Sequence, residues 1–181
     1  MATRGRGASG GATAVTWPNG RQFAFTIFDD PDSQDEKVSR LVYEFLGDLG
    51  LRTTKAVWPL APTREPNSPG ETCANPAFLR HCQELQERGF EIAFHNATCH
   101  STTRAETIEA LDRFRDYFGH DPVTMANHYN EEAVYWGPAR VSGLARLLYQ
   151  GAMFGRTSGR FFGHVPGHPT FWGDVCRRRI G

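Results

Sequence analysis

Apolar residues alternate along the chain between short continuous runs and stripes spaced at three and four residues. Phe23-Ala24-Phe25-Thr26-Ile27-Phe28 lies between Gly20 and Asp29-Asp30-Pro31, and residues 22–28 are predicted to form a buried strand that Pro31 stops. Val38, Leu41, Val42, Phe45, Leu46 and Leu49 then recur at helical spacing, predicting an amphipathic helix over 34–49 with those side chains inward and Gly50 closing it. The pattern repeats with a strand over 53–58, a Pro-rich loop over 59–76, and a helix over 77–88 that turns Phe78, Leu79, Cys82 and Leu85 inward. A third unit follows: a strand over 90–94, a loop over 95–103, and a helix over 104–118 with Ile108, Leu111, Phe114 and Phe118 on one face. A fourth strand is expected over 123–126. Beyond residue 137, Leu144, Leu147 and Leu148 indicate one more helix, and Gly and Pro punctuate 151–173 densely enough to predict mainly loop. Order is expected again from Phe171 to Ile180.

Alternating strands and helices with short connections imply parallel strands, hence an α/β barrel or a doubly wound sheet. Both architectures bind ligands at the carboxyl ends of their strands. Asp29, Asp30, His95 and His128 each fall just past a predicted strand end, so separate strands aim carboxylates and imidazoles at one face.

Such a set suits Zn²⁺ or a similar borderline divalent ion with positions left for water and substrate. A bound ion would acidify water and polarise a carbonyl, and a carboxylate free of the ion would remove the water's proton. Asp29 and Asp30 divide those roles if a turn brings both to the mouth, since successive residues of an extended chain point in opposite directions. The competing roles are ordinary ones. Asp29, Asp30, Asp32 and Ser33 are all good helix caps, and His95 and His100 serve equally well as hydrogen-bonded or solvated side chains. His128 is a further ligand or oxyanion donor, Cys99 a soft ligand, and Trp58, Tyr129, Trp136 and Trp172 candidates for stacking on sugar faces. His164 and His168 read as loop residues, and His81 and His120 as solvent-facing helix residues.

Composition narrows the picture modestly. The chain has 181 residues, one domain's worth, with Lys plus Arg and Asp plus Glu at 20 each. No overall field favours nucleic acid or an anionic membrane, and Arg177-Arg178-Arg179 reads as a solvated turn near the end. Cys73, Cys82, Cys99 and Cys176 form no C-x-x-C pair, and are expected as free thiols. Residues 1–18 read as a disordered leader and 19–181 as the folded domain. No window reaches the length of a membrane span, and no signal segment is evident, so a cytoplasmic location is expected.

These residues resemble the polysaccharide deacetylase superfamily, also called NodB-homology or carbohydrate esterase family 4-like. Phe25-Thr26-Ile27-Phe28-Asp29-Asp30 matches its first motif, a strand running into Thr-Phe-Asp-Asp-Gly. The segment from Gly50 to Val57 matches its second strand, and Gly89-Phe90-Glu91-Ile92-Ala93-Phe94-His95 with His100 matches its histidine motif. The agreement in order and spacing covers residues 22 to about 128. The resemblance implies a distorted (β/α) barrel, here incomplete at its C-terminal end. It implies metal-dependent removal of N- or O-acetyl groups from a carbohydrate, with Asp29 as general base and Asp30, His95 and His100 holding Zn²⁺, or Co²⁺ or Ni²⁺; His128 is the alternative third ligand. A catalytically inactive carbohydrate-binding domain and an amidohydrolase acting on a non-sugar C–N bond are the competing functions. The chain departs from the family pattern in Pro31 for the usual Gly, in an H-x4-H spacing for H-x3-H, and in lacking the Arg-x-Pro-Tyr, Trp-loop and Leu-x-His motifs.

Overall fold

The computed structural model describes residues 17–134, 141–156 and 159–181. They form a mixed α/β unit built on a small open parallel sheet, with strand order β1-β2-β3 for β1 (Phe28–Asp29), β2 (Thr54–Val57) and β3 (Glu91–Phe94). Five helices accompany the strands: α1 (Glu36–Asp48), α2 (Pro76–Glu87), α3 (Arg104–Phe118), α4 (Gly143–Ala152) and α5 (Gly173–Arg179). The expected alternation and parallel pairing are present. A closed barrel is not: among the described residues the sheet stops at three strands, and the predicted fourth strand is a single parallel bridge between Phe94 and Met125.

Local chemistry explains the element boundaries. Asp35 caps α1 by accepting the Val38 N–H at 2.8 Å, and Asn75 caps α2 just ahead of Pro76, whose missing N–H costs nothing at a helix start. Thr103 and Glu106 form a reciprocal capping box at the start of α3, and Gly119 ends that helix with φ 82°, a left-handed conformation that glycine adopts without a Cβ penalty. The core is the layer between β2–β3 and helices α2 and α3, centred on Val57, Phe78, Leu85, Ile92, Phe94, Leu111 and Phe114, with Trp172 closing it from the C-terminal segment.

The N-terminal part differs from expectation. The strand predicted over 22–28 shrinks to Phe28–Asp29, and Phe23 and Phe25 are about three-quarters exposed. Helix α1 buries Ser39, Tyr43 and Leu46, whereas Val38, Leu41, Val42, Phe45 and Leu49, the stripe expected inward, are exposed. The cause is the narrow sheet: β1 offers two residues of edge strand, too little surface to cover the apolar stripe of a 13-residue helix. The exposed Leu144, Leu147 and Leu148 on α4 form a second uncovered stripe. His81, expected in solvent, is buried and shares a 3.0 Å hydrogen bond between its Nε2 and the Ser39 hydroxyl, joining α2 to α1. His120 is exposed, as its position suggested. The leader read over 1–18 lies outside the described residues except for Trp17 and Pro18, and Trp136 lies outside them altogether. Among the described residues no helix is long and apolar enough to cross a membrane.

Candidate metal centre at the strand ends

Strand register decides which way each carboxylate of the Asp-Asp pair points. Asp29 stands beside Lys55 across β1 and β2, so the two side chains share a face. Lys55 is 1 % exposed, and its ammonium donates to Asp29 Oδ2 and Gln34 Oε1 while lying 5.7 and 5.8 Å over the Tyr43 and Phe78 rings. Tyr43 also donates its hydroxyl to Asp29 Oδ2 at 3.2 Å. Burial, then the Asp29 charge, push the Tyr43 phenol far above its ordinary pKa, so it remains a donor. Asp29 is therefore the counter-ion of a buried lysine.

Asp30 lies one residue past β1 and lines the same cleft as Asp29 and Lys55, with its carboxylate turned to different partners. Its Oδ1 lies 3.7 Å from His95 Nε2 and accepts the Asp32 N–H at 3.1 Å. That bond helps turn the chain at Pro31, where Ser33 takes φ 60° and donates its N–H to the Pro69 carbonyl at 2.7 Å. The turn carries Asp32 back over the strand ends. Asp32 Oδ1 accepts the Ser68 hydroxyl at 2.9 Å and lies 3.3 Å from His128 Nδ1.

The imidazoles come from the next two chain crossings. His95 continues β3 by one residue, donating its N–H to the Val57 carbonyl at 3.0 Å. His128 lies three residues past the Phe94–Met125 bridge. Their ring centroids are 5.4 Å apart, and Trp58, fully buried, packs against both at 6.0 and 5.4 Å. Trp58 is thus a wall of the site and offers no open face to a sugar.

Asp32, His95 and His128 each offer a ligand atom, and the three atoms lie within 4.8 Å of one another. Both nitrogens of His95 and Nε2 of His128 are buried without a hydrogen-bond partner. A buried polar atom left unpaired costs about 1–3 kcal/mol, so these atoms are poorly satisfied by the protein alone, and one nitrogen of each ring is free to face a cation. Protonation fits too. Burial pushes the His95 imidazole down to about 4, with the neighbouring His128 adding to the effect against the opposing pull of Asp30, Asp32 and Asp29. Burial likewise lowers His128, against Asp32 and Asp30. Neutral imidazoles are the form that binds metal, so Asp32, His95 and His128 form a group that could hold a metal ion.

His100 stands apart from this group. Its Nε2 accepts the Thr63 N–H at 3.0 Å and its Nδ1 faces the Ser101 carbonyl at 2.9 Å, which uses both nitrogens. It lines a separate cavity of about 250 Å³ with Leu60, Thr98 and Glu106. Cys99 is buried and is not part of the group. Tyr129 packs on Phe161, with the Arg160 guanidinium 4.3 Å from its ring centroid. Trp172 is fully buried and donates Nε1–H to the Glu132 carbonyl at 2.6 Å. His168 stacks on Phe162 at 4.3 Å.

The sequence pattern marks Asp32 as a helix cap and does not mark Glu132 at all. The Asp-Asp-Pro-Asp order was the available signal for Asp32, because proline after a strand end begins a turn that returns the next carboxylate to the same mouth. Glu132 gave no such signal. It is fully buried, and burial raises its pKa against the bonds its carboxylate accepts from Thr102 and Asn130. Comparison with protein-family models, curated proteins and solved structures finds no match to this chain.

Proposed function

We propose that this chain is a metal-dependent hydrolase that removes acetyl groups from a carbohydrate, with Asp32, His95 and His128 holding a divalent ion. One observation carries the metal reading: two buried, neutral imidazoles have nitrogens without partners beside carboxylates at the carboxyl ends of parallel strands. A divalent ion bound there would lower the pKa of water and polarise an acyl carbonyl. In this reading Asp30, whose side chain is 68 % exposed, accepts the proton of the attacking water. Asp29 is committed to Lys55 and Tyr43 and holds the β1 end in place. The carbohydrate acetyl substrate rests on the motif resemblance over residues 22 to about 128.

The test is metal content followed by activity. Protein dialysed against Zn²⁺, Co²⁺ or Ni²⁺ is expected to retain one equivalent, to lose it in Asp32→Ala, His95→Ala and His128→Ala, and to keep it in His100→Ala. Acetate release from acetylated glucosamine oligomers is then compared with release from small amides. Absence of metal in the wild type refutes the hydrolase reading. Metal without acetate release from the oligomers refutes the carbohydrate substrate.

A further inference from the structure

We infer that Asn96, locked by Glu132, is a positioning residue that sets the distance between the two imidazoles; this rests on the metal reading above. Asn96 follows His95 directly and adopts φ 60°, a left-handed conformation that asparagine tolerates better than most residues. Its Oδ1 accepts the backbone N–H of His128 at 2.7 Å. A side chain attached next to one candidate ligand thus grips the main chain of the other.

The orientation of the Asn96 amide follows from its partners. A backbone N–H can only donate, so the atom facing it is the oxygen, and the amide nitrogen faces the opposite side. There Nδ2 donates to Glu132 Oε1 at 3.3 Å. Glu132 is anchored in turn: Oε1 accepts Asn130 Nδ2 at 3.0 Å and Oε2 accepts the Thr102 N–H at 3.1 Å. Asn96, Asn130 and Glu132 have no exposed surface. A fully buried carboxylate is costly unless its lone pairs are filled, and here every donor it receives comes from the two loops that carry His95 and His128. Glu132 therefore clamps those loops to each other, and Asn96 transmits the clamp to His128. Groups that orient metal ligands typically affect affinity by about 10- to 100-fold.

The experiment compares wild type with Asn96→Gly, which keeps the left-handed backbone free of strain and removes the side chain with both of its hydrogen bonds. Co²⁺ is titrated by calorimetry and by its visible absorption, and His128 N–H exchange is followed by NMR on metal-free protein. The expected result is Co²⁺ binding about 10- to 100-fold weaker, an altered absorption band, and faster His128 N–H exchange. Should the glycine variant fail to fold, a folded Glu132→Gln, whose single carbonyl oxygen cannot accept from Thr102 on one side and from Asn96 and Asn130 on the other, decides the question: weakened Co²⁺ binding supports the positioning role and wild-type affinity overturns it. A folded Asn96→Gly with wild-type affinity, band and exchange overturns the positioning role and leaves the metal site standing. Wild-type protein that binds no Co²⁺ overturns the metal reading, and this inference with it.

Discussion

Replacing Asp29 by alanine should damage stability before it says anything about catalysis. Lys55 is 1 % exposed, and its acceptors are the Asp29 carboxylate and the Gln34 amide oxygen. Removing the carboxylate leaves a buried ammonium with one neutral oxygen and two aromatic faces. Breaking a buried pair by deleting one partner costs about 3–5 kcal/mol. The lower end applies here, because Gln34 remains and the Asp29 side chain is 31 % exposed. For a chain of this size, about 3 kcal/mol corresponds to a fall of roughly 6–12 °C in Tm. Asp29→Asn, which keeps an oxygen near Lys55, should fall between alanine and wild type. Lys55→Met should cost less than Asp29→Ala, since methionine refills the space and a part-exposed carboxylate can hydrate. Urea denaturation of the metal-free proteins measures all three. If Asp29→Ala unfolds within about 1 kcal/mol of wild type, the lysine does not depend on Asp29 and the reasoning fails; about 3 kcal/mol was the predicted loss.

Two further perturbations test other parts of the structure. Because burial depresses His95 to about 4 in the folded protein, the unfolded chain binds the extra proton between roughly pH 6.5 and 4. Stability of the metal-free protein should therefore fall as pH drops through that window, by at most about 3 kcal/mol, and level off below it. A denaturation midpoint series across pH, repeated on His95→Phe, should lose this part of the slope; an unchanged slope in the variant refutes the assignment. At Gly163 an added Cβ would stand 1.8 Å from the Glu132 carbonyl oxygen, which also accepts Trp172 Nε1–H. Gly163→Ala should cost about 3 kcal/mol or more and release the C-terminal segment, read as increased Trp172 fluorescence quenching; wild-type stability would show that this backbone approach is dispensable.

Local signals in the sequence specify the helices, the parallel α/β alternation and the strand ends past which the candidate residues lie. Those features are written locally: the Asp35, Asn75 and Thr103 caps, the stops at Gly50, Gly89 and Gly119, and apolar spacing in α2 and α3 all act within a few residues. Tertiary structure decided how much of that pattern is buried. The apolar stripe of α1 was legible, yet its burial depends on how far the sheet extends beside it, which no local signal specifies. It also decided which residues of the charged mouth meet. Asp29 and Asp30 are neighbours in sequence, but the pairing of β1 with β2 sends one to Lys55 and leaves the other facing His95. Asp32 reaches His128 only because the Pro31–Ser33 turn folds back, and His100 is drawn away by Thr63 and Ser101. Glu132 and Asn96 were silent in the sequence for the same reason. Their function lies in hydrogen bonds between loops about 30 residues apart, and such partners exist only once the chain has folded.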